Sequence, residues 1–416
     1  MEPTLIKILL LGILTLSFFS GKILSYLNIK RPVPSVPSSL SEYVDHDKLM
    51  KAKQYQKSNY SFGLATSSFS FLLTFAFIYF GFFGWLDIWL RELIQQPLIL
   101  SLVFFAILFI GSDMLSIPFD YYQTFVIEEK YGFNKTSRGT YFSDKVKGYF
   151  LSIIIGGGLL VVLIGLVHQM GESFWWQFWL VSIVFMVFVN LFYTAWILPI
   201  FNKLTPLEDG ELKSRIVEYA HSVGFPLDNI FVIDGSKRSS KANAFFSGFG
   251  KRKKVVLYDT LIDQHTPDEL VAVLAHEIGH YKKKHIIWSM LVSVVQVGIL
   301  LFILSLFIFN ENMSLALGGN TMAIHLNIIG FTMLLSPISM VLGIGMNILS
   351  RKNEFEADAY AKETFDGKPL AEALKTLSAN TLSNINPHPW YVFVNYSHPP
   401  LLQRLSRLEE PAVDYG

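Results

Sequence analysis

The segment Val271-Ala-Val-Leu-Ala-His276-Glu277-Ile278-Gly279-His280 contains the pattern H-E-x-x-H. On a helix the two histidines are four residues apart, so they lie on one face, one turn from each other. Their imidazole nitrogens can then bind one zinc ion, with Glu277 beside them to accept a proton from water. The alternative is a buried helix whose histidines only hydrogen-bond to neighbours, but a His pair with this Glu favours a metal site.

The residues before this segment predict where its helix begins. Thr266 suits the N-cap, Pro267 suits the first helical position, and Glu269 completes a capping box. Apolar residues then recur at every fourth position, namely Leu270, Leu274 and Ile278. This spacing predicts a helix that is buried on one side.

The whole chain has the composition of an integral membrane protein. Of its 416 residues, 51% are hydrophobic and 16% are charged, and the mean hydropathy is +0.40. Soluble domains are about one quarter charged. The chain contains no cysteine, so a metal ion would be bound by His and carboxylate ligands. The net charge of +1 argues against nucleic-acid binding.

Seven stretches are long and apolar enough to span a bilayer. They are residues 5–27, 62–86, 97–117, 149–170, 174–200, 286–309 and 323–349. Thirty-two of the 34 Lys and Arg residues then fall on one side of the membrane, and only Lys7 and Arg91 fall on the other. The positive-inside rule therefore predicts an external N-terminus, with the C-terminus and the zinc motif in the cytoplasm.

The predicted fold class is an all-α membrane protein with a small β-sheet element. Residues 1–200 contain spans one to five with their cytoplasmic loops, and residues 286–349 contain spans six and seven. The predicted catalytic domain has two parts, residues 201–285 and 350–416. Within the first part we expect an amphipathic helix, a strand and a hairpin, at residues 209–223, 229–233 and 243–258 respectively.

The third metal ligand is expected just after span seven. Spans six and seven form a hairpin, and no Gly or Pro lies between Met346 and Asp366, so one helix continues out of the membrane. Glu354 and Asp358 share a face of that helix, whereas Glu356 points away. Glu354 can bind the metal while Asp358 accepts the free ring N–H of a ligand histidine. The alternative is an acidic, solvated helix.

Other segments have distinctive sequences: Val126-Ile-Glu-Glu-Lys-Tyr-Gly-Phe-Asn134, Phe201-Asn-Lys-Leu-Thr-Pro-Leu-Glu208, Gly235-Ser-Lys-Arg-Ser-Ser240, Asn243-Ala-Phe-Phe246, Asn353-Glu354-Phe-Glu-Ala-Asp358-Ala-Tyr360 and Ser397-His398-Pro-Pro400. With the zinc motif they resemble the type I CAAX prenyl endopeptidase family, which consists of multi-pass zinc metalloproteases. The resemblance extends from about Tyr43 to Leu408. It implies seven spans that enclose a large water-filled chamber, capped by a cytoplasmic gluzincin-like domain.

The resemblance also implies roles for individual residues. It assigns one catalytic zinc ion to His276, His280 and Glu354. It implies that Glu277 is the general base and that Asp358 is the acid that supports a ligand. Asn243 would hold the substrate backbone. His398 and Arg404 would stabilise the oxyanion and align the cleft.

The expected partners are a peptide or protein substrate, lipidated or not, and membrane lipids. We interpret the chain as a prokaryotic-type member, in the inner membrane; a eukaryotic member would lie in the ER membrane. Lys241 stands where eukaryotic members usually have His, which leaves the substrate preference open. One alternative is a general quality-control protease of membrane proteins. Another is a transporter with a relic metal site, although this gives no reason for Glu277 between two ligands.

Overall fold

The computed structural model describes residues 1–225, 227, 229–247 and 254–409. The first half is helical: α1 Pro3–Lys30, α2 His46–Tyr79, α3 Phe82–Leu93, α4 Pro97–Tyr122, α5 Glu129–Tyr131, α6 Arg138–Leu151, α7 Gly158–Met170, α8 Phe174–Phe192 and α9 Leu198–Phe201. Short π-helical segments join α4 to α5, α6 to α7 and α8 to α9, at Gln123–Glu128, Ser152–Gly157 and Tyr193–Ile197.

The second half contains the remaining helices: α10 Glu211–Ser222, α11 Asp259–Ile262, α12 Pro267–Lys282, α13 His285–Phe307, α14 Glu311–Ala316, α15 Ile324–Leu334, α16 Ser336–Thr364, α17 Gly367–Asn380, α18 Pro389–Asn395 and α19 Leu401–Glu409. Short 3₁₀ turns occur at Ser38–Leu40, Gly171–Ser173 and Gly235–Lys237. The amphipathic helix predicted for residues 209–223 is confirmed as α10.

One small sheet accompanies these helices. Its strands are β1 Leu204–Pro206, β2 Ile230–Ile233, β3 Ala244–Ser247 and β4 Lys254–Tyr258, in the order β1-β2-β4-β3. The predicted strand at 229–233 and the predicted hairpin are confirmed as β2 and the antiparallel pair β3–β4. The hairpin's turn, residues 248–253, lies outside the described residues. β2 pairs with β4 in parallel, which leaves β3 at an edge.

Among the described residues, five helical segments are long and apolar enough to cross a membrane: Pro3–Lys30, His46–Tyr79, Pro97–Tyr131, Arg138–Phe201 and His285–Phe307. The pair Ile324–Leu334 and Ser336–Thr364 makes a sixth if it counts as one bent span. Predicted spans four and five both fall within Arg138–Phe201, which turns at Gly171, where φ is +57°. The count of seven spans and their orientation therefore stay predictions.

The second predicted span, residues 62–86, is wrong at its C-terminal end. α2 ends at Tyr79, Gly81 adopts a left-handed φ of 70°, and α3 begins at Phe82. The reason is a close backbone contact, because a Cβ on Gly84 would stand 1.8 Å from the carbonyl carbon of Gly318. The loop after α14 thus packs directly on the turn between α2 and α3.

The seventh predicted span, residues 323–349, is not one straight helix. It is divided at Leu335 into α15 and α16, which are bent by 51°. Pro337 lies in the first turn of α16 and has no N–H to continue the hydrogen bonds of α15. From Ser336 to Thr364, however, α16 runs without a break, which confirms the predicted continuation past Met346.

α12 lies in the largest apolar core of the chain. Its buried side packs against α10 and α17 and shares this core with residues of α19 and β4, including Ile216, Leu257, Ile278, Leu370 and Leu405. On another side it meets α16, where a Cβ on Gly279 would stand 3.1 Å from Ala357 Cα and from Tyr360 Cβ. The missing side chain at Gly279 therefore allows the two helices that carry the candidate ligands to approach closely.

Candidate active site

The first two candidate ligands are positioned by the capped start of α12. Thr266 Oγ1 accepts a hydrogen bond from Glu269 N at 3.3 Å, and Pro267 is the first helical residue, as predicted. One turn apart on the same face, His276 and His280 bring their Nε2 atoms to 3.2 Å from each other. The helix thus directs two lone pairs to one point.

α16 brings the third candidate ligand to that point. Glu354 Oε2 lies 3.6 Å from His276 Nε2, and Glu354 Oε1 lies 3.4 Å from His280 Nε2. Ligand atoms about 2.0–2.1 Å from a tetrahedral zinc ion are separated by about 3.3 Å from each other. The histidine nitrogens are 3.2 Å apart, and the two oxygens of Glu354 lie 3.4 and 3.6 Å from them, so the three side chains converge at distances close to those around a single zinc ion.

The charges and burial of the same group also fit a metal ion. Glu354 is 5% exposed, and its Oε2 atom is buried without a hydrogen-bond partner. The nearest nitrogens, on His276 and Arg404, are 3.6 and 3.5 Å away and do not satisfy it. A buried carboxylate oxygen without a partner is costly, and a bound cation would satisfy it.

Asp358 lies behind the first histidine, as the sequence predicts. Its Oδ1 atom is 2.9 Å from His276 Nδ1, a hydrogen-bond distance without hydrogen-bond alignment. Arg404 of α19 donates to both of its oxygens, from Nε at 2.8 Å and from a terminal nitrogen at 2.6 Å. Arg404 is 8% exposed, so this bidentate pair holds Asp358 inside the protein beside the histidine.

The remaining two polar groups beside the cluster are His398 and Glu277. His398 Nε2 is 3.3 Å from Glu354 Oε1, and the side chain of His398 is 65% exposed. Glu277 lines a cavity together with His280. Burial raises the pKa of Glu277 above its ordinary value, although the nearby His276 and His280 oppose this shift. A carboxylate with a raised pKa is suited to accept and return a proton near neutral pH.

The cavity in front of the cluster has a volume of about 800 Å³. Its wall includes Phe245 and Phe246 of the edge strand β3, together with residues of α8, α13 and α16. Asn243 stands immediately before β3: its Oδ1 accepts from Ala244 N at 2.9 Å, and its carbonyl accepts from Tyr258 N at 3.1 Å. An unpaired strand edge thus borders the cavity that contains Glu277.

The structure also adds two residues that the sequence analysis did not place at the site. His285, the first residue of α13, lies with its Nδ1 atom 3.0 Å from His280 Nδ1. Glu356, which was expected only to point away from the ligands, lies 3.0 Å from His285 Nε2. The spacing of five residues from His280 to His285 was visible in the sequence, but it crosses a helix junction whose angle the sequence does not show.

Lys241 lies in a polar cluster that is separate from the candidate ligands. Its Nζ atom is 2.8 Å from Glu128 Oε2 and 3.1 Å from the hydroxyl of Tyr55, and it lies 4.5 Å above the ring of Phe133. Lys241 thereby joins the segment before β3 to α2 and to the segment after α4.

The chain matches known proteins along most of its length. Residues 25–203 match a family model described as CAAX prenyl protease N-terminal, five membrane helices, and residues 206–412 match peptidase family M48. The CAAX prenyl protease 1 homolog of Arabidopsis thaliana is 34% identical, over 92% of this chain and 94% of that protein. CAAX prenyl protease 1 of Saccharomyces cerevisiae is 33% identical, over 90% of this chain and 88% of that protein.

The architecture is also that of a solved relative. The crystal structure of S. mikatae Ste24p matches with a TM-score of 0.91 and 31% identity, covering 97% of this chain and 99% of that one. The family matches, together with a His-His-Glu group that could hold a metal ion and helices long enough to cross a membrane, define a membrane metalloprotease. The chain belongs to peptidase family M48, in the group of the type I CAAX prenyl proteases. Members of this family use a metal ion, usually zinc.

Proposed function

We propose that the protein binds one zinc ion through His276, His280 and Glu354 and hydrolyses peptide bonds of membrane-associated substrates. The observation that carries this proposal is the convergence of three ligand groups: the two histidine Nε2 atoms are 3.2 Å apart, and the two carboxylate oxygens of Glu354 lie 3.4 and 3.6 Å from them. The buried and unpartnered Glu354 Oε2 supports it further. A zinc ion bound there would polarise the scissile carbonyl. It would also lower the pKa of a bound water, so that this water could lose a proton and attack the carbonyl near neutral pH.

Glu277 is the general base in this proposal. It lines the cavity beside His280, and its raised pKa lets it accept the proton of the attacking water. The same carboxyl group then gives that proton to the leaving amine nitrogen as the peptide C–N bond breaks. The reaction needs no covalent enzyme intermediate, because water itself forms the new bond to the carbonyl carbon.

Three further residues hold the site in shape or stabilise charge. Asp358 orients His276, and Arg404 acts through Asp358, because both of its bonds to that acid are shorter than 3 Å. His398 is exposed beside Glu354 and, in this proposal, donates to the oxygen that becomes negative as water attacks the carbonyl. Arg404 is thus a positioning residue, whereas His398 contacts the reacting atoms.

The proposed substrates are peptides with a C-terminal CAAX-type sequence or other membrane-associated peptides, cleaved near the C-terminus. The names of the relatives suggest this class. The edge strand β3 supports a substrate bound as an added strand, held at its start by Asn243. The apolar residues of the cavity, such as Phe245 and Met186, are suited to a lipidated or hydrophobic side chain.

We also propose the full topology that the charge pattern predicts. Seven spans enclose the chamber, with spans one to five in residues 1–200 and spans six and seven in residues 286–349. Residues 201–285 and 350–416 form the cytoplasmic catalytic domain, and the N-terminus is outside. A monomer in contact with membrane lipids suffices, because all three proposed zinc ligands come from one chain.

The main test replaces the general base. Glu277→Gln removes the proton acceptor but leaves the three zinc ligands in place. We expect the variant to retain zinc and to lose cleavage by about 10²–10⁴-fold, the usual contribution of a general base. Zinc is measured by elemental analysis of the purified protein, and cleavage is followed with CAAX-type peptides. Wild-type cleavage by this variant would sink the assignment of Glu277.

A second variant tests the metal itself. Glu354→Ala removes the third ligand, so we expect the purified protein to contain much less zinc than the wild type. The matched control is Glu363→Ala, since Glu363 is an exposed acid on the same helix. Zinc content that is equal in the two variants would refute the proposed ligand set.

The alternative within the same enzyme class is a general quality-control protease of membrane proteins. The two activities differ in substrate, so three substrates are compared: a prenylated CAAX peptide, the same peptide without the prenyl group, and an unfolded membrane protein. Chelator is added to a parallel sample of each. Chelator-sensitive cleavage of the unfolded protein alone would favour quality control. A transporter with a relic metal site loses its support, because the family consists of proteases.

A further inference from the structure

A chain of hydrogen-bonding groups continues outward from the second candidate ligand. His280 Nδ1 lies 3.0 Å from His285 Nδ1, and His285 Nε2 lies 3.0 Å from Glu356 Oε2. His285 is 5% exposed, and the side chain of Glu356 is 39% exposed. This series of contacts, which we call the relay, therefore begins at the candidate ligand His280, passes through the buried ring of His285 and ends at the carboxylate of Glu356 near the surface.

The carboxylate at the outer end determines where the protons lie. At the 3.0 Å contact between His285 Nε2 and Glu356 Oε2 a carboxylate oxygen is the acceptor, so the proton belongs to His285 Nε2. A neutral imidazole carries one proton, so His285 Nδ1 is then an acceptor. His280 must therefore donate from its own Nδ1, which leaves the lone pair of His280 on Nε2. That atom is the one that faces His276 and Glu354.

We propose that His285 and Glu356 are positioning residues for the metal ligand His280. The inference rests on the proposed metal site and adds a second support to it. The first ligand, His276, faces a carboxylate directly, at 2.9 Å from Asp358. The second ligand reaches its carboxylate through an intervening histidine. In both cases the outer group holds the ring in one orientation and keeps the lone pair directed at the metal.

The backbone between α12 and α13 makes this contact possible. α12 ends with Lys282, and Lys284 adopts a left-handed conformation with φ of 60° and ψ of 28°. The helix is interrupted there, and His285 begins α13 with its ring beside that of His280. Because Glu356 belongs to α16, the relay joins α12, α13 and α16 around the ligand.

Glu356 has a second neighbour that does not replace its contact with His285. Lys352, one turn earlier on the same helix, lies 3.7 Å from Glu356 Oε1, whereas His285 contacts the other oxygen, Oε2. The two partners therefore use different oxygens. Loss of the Lys352 contact would leave the bond to His285 in place.

The experiment measures how fast zinc leaves the full-length protein in detergent micelles after addition of EDTA. His285→Ala removes both contacts of the relay. We expect it to lose zinc about tenfold to hundredfold faster than the wild type, the usual effect of removing a group that supports a ligand. His285→Asn retains an oxygen acceptor near the position of Nδ1, so its rate should fall between those of His285→Ala and the wild type. Glu356→Gln should have a smaller effect than His285→Ala.

The matched control is a buried histidine with the same kind of partner elsewhere in the fold. His325 is 1% exposed, and its Nε2 atom lies 2.9 Å from Asp87 Oδ1. His325→Ala removes a comparable buried contact away from the metal site. If it releases zinc as fast as His285→Ala, general destabilisation explains both results and the relay is overturned.

Two other outcomes also overturn the proposal. Zinc release from His285→Ala at the wild-type rate would show that His280 needs no support. A rate for His285→Asn equal to that of His285→Ala would show that the acceptor at Nδ1 has no role. A wild-type protein that binds no zinc would contradict the proposed function itself. Measuring zinc in the wild type first therefore separates a failure of the proposed metal site from a failure of the proposed roles of His285 and Glu356.

Discussion

Gly279→Ala should impair the active site while lowering the free energy of unfolding by no more than about 2 kcal/mol. Gly279 lies between the two histidines of α12, at the closest contact between α12 and α16. An added Cβ would stand 3.1 Å from Ala357 Cα and 3.2 Å from the carbonyl oxygen of the same residue. Carbon atoms in contact prefer about 3.5–4.0 Å, so α16 must move by about 0.5 Å.

The movement of α16 should affect both the free energy of unfolding and the rate of cleavage. Replacing a helical Gly by Ala gains about 1 kcal/mol of helix propensity, whereas overpacking costs about 1–3 kcal/mol. The free energy of unfolding should therefore fall by no more than about 2 kcal/mol. Ala357 lies between Glu354 and Asp358, so both acids move with it. A displacement of 1 Å costs about 100-fold in rate, so 0.5 Å should cost about tenfold.

The assay combines thermal unfolding with the rate of zinc loss to EDTA and with kcat/KM for a CAAX-type peptide. Gly343→Ala is the control, because it changes the same residue type within α16 at a position where a new Cβ meets nothing within 4 Å. We expect wild-type cleavage from the control and about tenfold weaker cleavage from Gly279→Ala. If Gly279→Ala retains both zinc and full activity, the contact between α12 and α16 does not set the position of Glu354.

Two further predictions concern the groups around the proposed zinc ligands. Arg404→Lys cannot bind both oxygens of Asp358, so kcat/KM should fall by about tenfold or more; wild-type kinetics would show that the bidentate pair is not needed. Glu277 must be ionised to accept a proton, and burial raises its pKa, so activity should be lost as the pH falls through that raised value. The acid limb of kcat/KM should therefore lie above the ordinary Glu value of about 4.3. Zinc content is measured at each pH, and an acid limb at the ordinary value would contradict a buried base.

The sequence predicts the metal cluster well because its parts are local. His276 and His280 share a face through the period of one helix, and Glu354 and Asp358 do the same on another. Only one long-range assumption is needed to bring the two pairs together, namely that predicted spans six and seven form a hairpin. The structure brings Glu354 within 3.4 to 3.6 Å of both histidines.

The ends of the membrane helices follow the sequence less closely. Apolar composition continues across Gly81 and across Leu335, so hydropathy alone joins segments that the structure separates. The first break depends on a backbone contact with Gly318, which is distant in the sequence. The second break depends on a bend of 51°, to which the local position of Pro337 contributes only in part.

By itself, then, the sequence determined the class of protein, the ligand helices and the small sheet's hairpin, since each follows from a short periodic pattern or from composition. Only the tertiary structure decided which partners surround those ligands. Arg404 reaches Asp358 and His285 reaches Glu356 across 46 and 71 residues of sequence. Away from the ligands, Lys241 reaches Glu128 across 113 residues. Such pairs depend on how helices pack, because packing sets both the distance and the direction between side chains that no local repeat relates.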